Sequence, residues 1–369
     1  MRLLGMVSVS LVVLGIFSGV LPGRVSARTP ALVRAQLDTV GFAVDREDFA
    51  RVLYAAMSAE GLNDPHVRRG AWPAFAAILP HDDYLYAGRT AVHAVPYLQA
   101  RRWVVFGVCH ACRRIGVRDR LLLDDYASWR IAGREFAVDQ QLRDDLLTRL
   151  GADAEVSRER QAKEHSVEAL LPWLGAGAGD FTFVSILVPG MEPDHLQELS
   201  EKLAGILADV CRERDWVMGR DLGLLISADA VHYGCEGWGD HPYNEFGCDE
   251  AGHAAARTQD ITLARATLTG PLTRSGIASF INLVWDPAGP DYPAYPYRIT
   301  WCGIYSIPFG LSVARALQED LGGDPLTGTL LRYGDSVTDG RLECDVHRLG
   351  VTAPNTLEHW VGYPALVYH

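Results

Sequence analysis

The sequence predicts an α/β fold with a mainly parallel or mixed central sheet and helices on both faces. Three observations carry this. Short, nearly continuous apolar runs alternate with longer stretches whose apolar residues recur at helical spacing, the pattern of strands buried on both sides. No repeat, low-complexity segment or linker-like shift interrupts the alternation, so one domain over residues 28–369 is expected. Three of the apolar runs also lead straight into a histidine: AAILPH at His81, WVVFGVCH at His110 and LGLLISADAVH at His232. In an open α/β sheet, ligands bind beyond the carboxyl ends of the strands, so these three imidazoles are expected to share one crevice.

Taken in order, Asp45 is placed to cap a helix over 46–60, in which Phe49, Val52, Leu53 and Met57 fall at helical spacing. A strand over 73–79 follows, then a helix near 89–99 and a strand over 103–108. Residues 117–136 read as extended pieces and a turn, and 138–150 as a helix. Val167, Leu170, Leu171 and Leu174 share one face of a helix expected over 164–174. Strand 181–189 precedes a helix near 194–213, and strand 222–228 ends before His232. Helices are expected near 258–268, 272–283 and 305–319, with a proline- and tyrosine-rich loop over 285–297. Strands near 327–333 and 362–368 close the chain.

The first 27 residues stand apart. Arg2 leads into a long apolar run, and Val25-Ser26-Ala27 offers a small-residue cleavage site, so a signal peptide and an exported body, periplasmic or extracellular, are expected. The alternative is an uncleaved anchor, the one route by which the chain would meet a membrane. The formal net charge is −12, and removal of Arg2 and Arg24 with the leader makes it more negative. Lysine occurs only at Lys163 and Lys202, and the arginines are interspersed with acids, which argues against a nucleic-acid partner.

Four constellations carry candidate chemistry. In Pro80-His81-Asp82-Asp83-Tyr84, either aspartate is placed to accept the second ring N–H of His81, as the carboxylates behind metal-bound histidines do; a solvated turn is the alternative. Cys109-His110-Ala111-Cys112 admits a thiol–disulfide oxidoreductase, a plain disulfide, a metal site using His110, or inert thiols. Asp229 and His232 suit a proton-transfer base with an orienting carboxylate, against a capping aspartate beside a buried histidine. Cys302, between Trp301 and Gly303 at the mouth of a helix, is expected to be a thiolate favoured by the helix N-terminus, with a free core cysteine as the alternative. Of the other cysteines, Cys235 and Cys248 are placed to staple an aromatic loop. His93 and His253 are assigned to surface or packing, and His241, flanked by Trp238 and Tyr243, to the rim.

PHDDYLYAG, GVCH, EHSVEALLPWL, SADAVHYG and TWCG occur in the order and approximate spacing of the Memo-like proteins, also called AmmeMemoRadiSam system protein B, which this chain resembles over most of 72–369. The resemblance implies a fold similar to the class III extradiol dioxygenases with a metal in the crevice. Matched motif by motif, it places the metal ligands at His81, His110 and Cys302, the proton-transfer element at Asp229 and His232, and supporting roles at Glu164 and His165. Asp82 and Asp83 stand where the family usually has a small residue and glycine, and Cys109 where serine or asparagine is usual. Two imidazoles and a thiolate suit one ion of iron(II) or copper, with zinc as a further choice. The expectation is a metal-dependent oxidoreductase acting on an unidentified small molecule, with aromatic compounds among the candidates, against a non-catalytic copper- or zinc-binding or interaction module.

Overall fold

The computed structural model describes residues 31–62, 72–238, 243–284, 299–346 and 348–369. Its elements begin with β1 (Val33–Ala35), α1 (Arg46–Ala59), β2 (Ala76–Leu79), α2 (Tyr84–Ala91), β3 (Arg102–Val108), β4 (Leu121–Leu123), β5 (Ser128–Ile131) and β6 (Arg134–Val138). Then come α3 (Gln140–Leu150), β7 (Ala154–Val156), α4 (Arg158–Ala162), α5 (Leu171–Ala178), β8 (Thr182–Val188), α6 (Pro193–Glu213), β9 (Gly223–Ser227) and β10 (His232–Tyr233). The last are α7 (Glu250–Leu268), β11 (Gly270–Pro271), α8 (Arg274–Val284), α9 (Ser306–Asp320), β12 (Thr327–Asp335) and β13 (Trp360–Tyr368).

Among the described residues the sheet runs β1-β5-β6-β8-β3-β9-β2-β13-β12-β11, with β4, β7 and β10 attached off this path. The middle strands β6, β8, β3, β9 and β2 pair parallel. The hairpin β12–β13 joins antiparallel to β2, which makes the sheet mixed. Side-chain alternation sorts the central strands into two cores. Ile78, Val104, Phe106, Ile186, Leu224 and Ile226 pack with α6 and α9 on one face. Ala77, Leu79, Val105, Phe183, Leu187 and Leu225 pack with α1, α2 and α5 on the other. β2, β3, β8 and β9 are therefore apolar on both sides, which is why their sequences lack polar alternation. Leu32–His369 forms one compact unit, and the expected leader at 1–27, the loop 285–297 and His241 lie outside the described residues. No described helix is long and apolar enough to cross a membrane.

Three expected helices shift for local reasons. The one near 89–99 starts earlier, at Tyr84, and ends at Ala91, because Pro96 supports only a short 3-10 turn over Val95–Tyr97. The one near 258–268 starts at Glu250, where the Asp249 side chain accepts from Gly252 N. The one at 164–174 gives way to a turn over its first residues, with a 3-10 turn at Glu168–Leu170 and the helix from Leu171. Glu164 causes this, since its carboxylate accepts from His165 N at 2.9 Å and Ser166 N at 3.1 Å and competes with helical bonding.

The turn lies directly on β3. A Cβ at Gly107 would sit 2.6 Å from Val167 Cγ2 and 2.9 Å from Ser166 Oγ, so glycine is what lets the two backbones approach. Gly107→Val is expected to cost about 1–3 kcal/mol, the range for overpacking an interior, read as a lower urea midpoint at unchanged slope. An unchanged midpoint contradicts the packing.

Candidate metal centre

Parallel pairing places the carboxyl ends of β2, β3 and β9 on one edge, with Leu79 opposite Ser227 and Phe106 opposite Ile226. His81, His110, Asp229 and His232 follow those ends within a few residues. Cys302 arrives from the segment before α9, where Ser306 Oγ donates to Ser227 O at 2.9 Å. A Cβ at Gly303 would lie 2.3 Å from Ala228 Cβ, so this glycine lets the Cys302 segment press against the end of β9.

His81 is buried, and its tautomer follows from its neighbours. Ser227 Oγ donates to Ser166 O at 2.5 Å and so offers only lone pairs to His81 Nδ1, 2.8 Å away. Nδ1 therefore carries the proton and Nε2 holds the lone pair. That Nε2 lies 3.6 Å from Cys302 Sγ and 3.4 Å from Asp229 Oδ2. Cys302 Sγ to Asp229 Oδ2 is 3.9 Å. Donors about 2.0–2.3 Å from one tetrahedral ion stand roughly 3.3–3.8 Å apart, so the two edges at His81 Nε2 fall within the span of a transition metal and the Cys302–Asp229 edge lies just beyond it. Burial and the Asp229 carboxylate push the Cys302 thiol well up, and burial with repulsion from Asp82 pushes Asp229 up.

His110 and Glu164 form the second half. His110 Nδ1 donates to Glu164 Oε1 at 2.8 Å and His110 N to Oε2 at 2.9 Å, the supporting role expected of Glu164. Glu164 is itself held by its chain: Arg34 Nη2 donates to Glu164 O at 2.7 Å and Arg34 Nε to Gln161 O at 2.8 Å, while Nη1 pairs with the buried Glu168 carboxylate. The His165 ring joins the cluster, 4.9 Å from that of His110 and 5.4 Å from that of His81. Among the described residues two groups have ligand atoms within 4.8 Å of one another: His81 with His110 and His165, and His81 with Asp229 and Cys302. The expected ligands His81, His110 and Cys302 do not form one such group; His81 is the member that the two groups share.

Several roles expected from sequence are corrected. Neither Asp82 nor Asp83 takes the His81 ring proton, which goes to Ser227. Asp82 Oδ2 accepts from Tyr363 OH at 2.7 Å, and Asp83 accepts from Thr352 N at 2.6 Å, pinning a distant loop. Asp229 does not orient His232. His232 Nδ1 sits 3.1 Å from Ala230 O and 3.0 Å from Thr300 O, so two carbonyls fix its proton there and Nε2 is the basic atom. Burial lowers the His232 pKa and keeps the ring neutral. Asp229 instead accepts from His81 N at 2.9 Å. Cys302 does not cap a helix either; its sulfur accepts from Asp229 N at 3.0 Å, four residues before α9 begins.

Ser227, Tyr363 and Asp260 were not singled out by sequence. Asp260, buried on α7, accepts from Trp301 Nε1 at 2.6 Å and Val231 N at 3.3 Å, tying the neighbours of Cys302 and His232 together. A serine closing an otherwise apolar strand was a readable signal for Ser227; Tyr363 and Asp260 had none. Cys109 is paired with Cys112 and Cys235 with Cys248, while Cys211, Cys302 and Cys344 keep free thiols. His253 reaches the buried Asp335 at 3.1 Å and His93 reaches Glu60 at 3.0 Å, both packing roles as expected.

Burial alone would raise the Glu164 carboxyl, but the hydrogen bonds and charge of His110 outweigh it and hold the group at about 2, below its ordinary 4.5. A depressed carboxyl stabilises the fold fully above its unfolded pKa and loses that contribution as pH falls through the folded value. Glu164→Gln is thus expected to be destabilising at pH 7, with a smaller difference from the unsubstituted protein at pH 3.5, in urea titrations at both pH values. An equal difference at both contradicts the role given to this carboxylate.

The family model described as "Memo-like protein" matches residues 50–273. A MEMO1 family protein of Methanosarcina acetivorans is 27% identical over 161 residues, covering 43% of this chain and 54% of that protein. Protein MEMO1 of Xenopus tropicalis is 27% identical over 169 residues, covering 44% of this chain and 52% of the relative. The matches thus span about half the length of these curated relatives. A solved structure of an uncharacterized protein from Escherichia coli K12 aligns over 78% of this chain and 98% of its own, with a TM-score of 0.40 and 14% identity. With its family model matched over more than half its length, this chain belongs to the Memo-like family.

Proposed function

We propose that the chain is a metal-dependent oxidoreductase that binds one transition-metal ion, iron(II) or copper in preference to zinc, beside His81 and acts on a small molecule with an ionisable hydroxyl. The observation that carries this reading is the unprotonated Nε2 of His81, aimed at an unpaired thiol 3.6 Å away and a carboxylate 3.4 Å away. In this reading His81 and Cys302 would hold the ion, with Asp229 beside them and the half-exposed His110, held by Glu164, next to His81. A bound iron or copper ion supplies Lewis-acid and one-electron redox chemistry.

The residues supply the rest. His232 Nε2 takes the hydroxyl proton, and the two carbonyls at Nδ1 hold the resulting imidazolium. Trp238 meets its ring edge-on at 5.0 Å and stacks on His359 at 3.9 Å, offering an aromatic wall for a flat substrate. Export belongs to the same proposal and is supported by the two cysteine pairs, which suit an oxidising compartment.

Elemental analysis after anaerobic purification is expected to find about one iron or copper per chain, and His81→Ala to abolish it. His232→Ala should keep the metal and lose roughly two to four decades of turnover on phenolic substrates. Full metal with no turnover on any phenol or catechol would establish instead the copper- or zinc-binding module. Metal-free protein contradicts both.

A further inference from the structure

The crevice holds a second set of donors that needs no thiolate. We infer that His81, His110 and His165 form a three-imidazole site for a borderline divalent ion, an alternative to the set built on Cys302. This rests on the metal reading above and extends it to His165, which the sequence placed only behind the ligands.

Four features of the structure converge on His165. The three rings stand 4.9 to 5.4 Å apart, centroid to centroid, and one nitrogen of each lies within 4.8 Å of the others. Each ring has an oxygen close to Nδ1: Ser227 Oγ and Glu164 Oε1 accept from His81 and His110, each at 2.8 Å, and Asp38 Oδ2 lies 3.2 Å from that of His165 as an ion-pair contact. Such acceptors fix the tautomer and leave Nε2 for an ion, the arrangement found behind metal-bound histidines. Asp38 is itself placed, since its backbone N donates to Glu168 Oε1 at 2.9 Å and Glu168 is paired with Arg34. Finally, His110 and His165 are 38% and 33% exposed against 2% for His81, so the imidazole side of the crevice is the one open to entering ions and to water.

The two sets differ in chemistry. Cys302 with His81 and Asp229 favours a soft or strongly thiophilic ion. Three neutral imidazoles favour zinc, cobalt or copper(II) and leave a position for water or substrate. His81 Nε2 has a single lone pair, so the sets exclude one another and the chain takes one ion in either mode.

Cobalt(II) added to metal-stripped full-length protein separates the modes, because only a thiolate ligand gives sulfur-to-cobalt charge-transfer absorption in the near ultraviolet. Cys302→Ser is expected to bind one Co(II) per chain without that absorption. Adding His165→Asn should then weaken binding about 100-fold, and adding Asp38→Asn instead, which leaves all imidazoles in place, about tenfold. His165→Asn alone should retain one Co(II) with the thiolate absorption. Far-ultraviolet circular dichroism confirms that each variant is folded. Loss of all binding in folded Cys302→Ser while the unsubstituted protein binds would overturn the three-imidazole site and leave the Cys302 site standing. Equal affinity with and without His165→Asn in the Cys302→Ser background overturns it as well. An unsubstituted protein that binds no Co(II) removes the metal reading and this inference together.

Discussion

The site depends on one hydrogen-bond relay: Ser166 O, Ser227 Oγ and His81 Nδ1. Because Ser227 spends its only proton on the Ser166 carbonyl, His81 must donate from Nδ1 and hold its lone pair on Nε2. That lone pair is buried, which costs free energy unless something binds it. The relay also crosses the sheet edge, since Ser227 ends β9 while Ser166 belongs to the turn lying over β3 at Gly107. The same contact that sets the tautomer therefore sets how closely the turn bearing Glu164 and His165 approaches the histidine after β2.

Around this atom the chain assembles acidic groups on two sides. On one stand the Cys302 thiol, displaced toward its neutral form by burial and the Asp229 carboxylate, and the Asp229 carboxyl, displaced likewise by burial and the Asp82 carboxylate. On the other stands Glu164, kept ionised by donors from His110, His165 and Ser166. Arg34 spends its guanidinium on the carbonyls of Gln161 and Glu164, the Glu168 carboxylate and the face of Trp129, 4.1 Å away, so it braces the turn from behind. The divalent ion proposed beside His81 would complement these acidic groups.

Much of this was legible in the sequence, and the failures share one cause. Apolar runs and helical spacing located the central strands because strands buried on both faces need uninterrupted apolar residues. His81, His110 and Cys302 were readable as strand-end or loop donors, and Glu164 as the partner behind one of them. What sequence could not supply was which side chain receives each ring proton. Asp82 and Asp83 adjoin His81 in the chain, and Asp229 is three residues from His232, yet the turns carry these carboxylates to Tyr363, Thr352 and His81 N. Ser227 and Asp38 do the orienting from 146 and 127 residues away, a relation that only the parallel pairing of β2 with β9 and the bracing of the first strand create. His165 was underrated for the same reason: a helix over 164–174 would have turned its ring along the helix surface, whereas Glu164 unwinds that turn and brings it into the cluster.

Anomalous diffraction at the metal absorption edge, from crystals of the protein carrying its native ion, tests the account most directly. It predicts a single anomalous peak within bonding reach of His81 Nε2, about 2.0–2.1 Å away. A peak elsewhere on the chain, with His81 Nε2 bound to no ion, would contradict it.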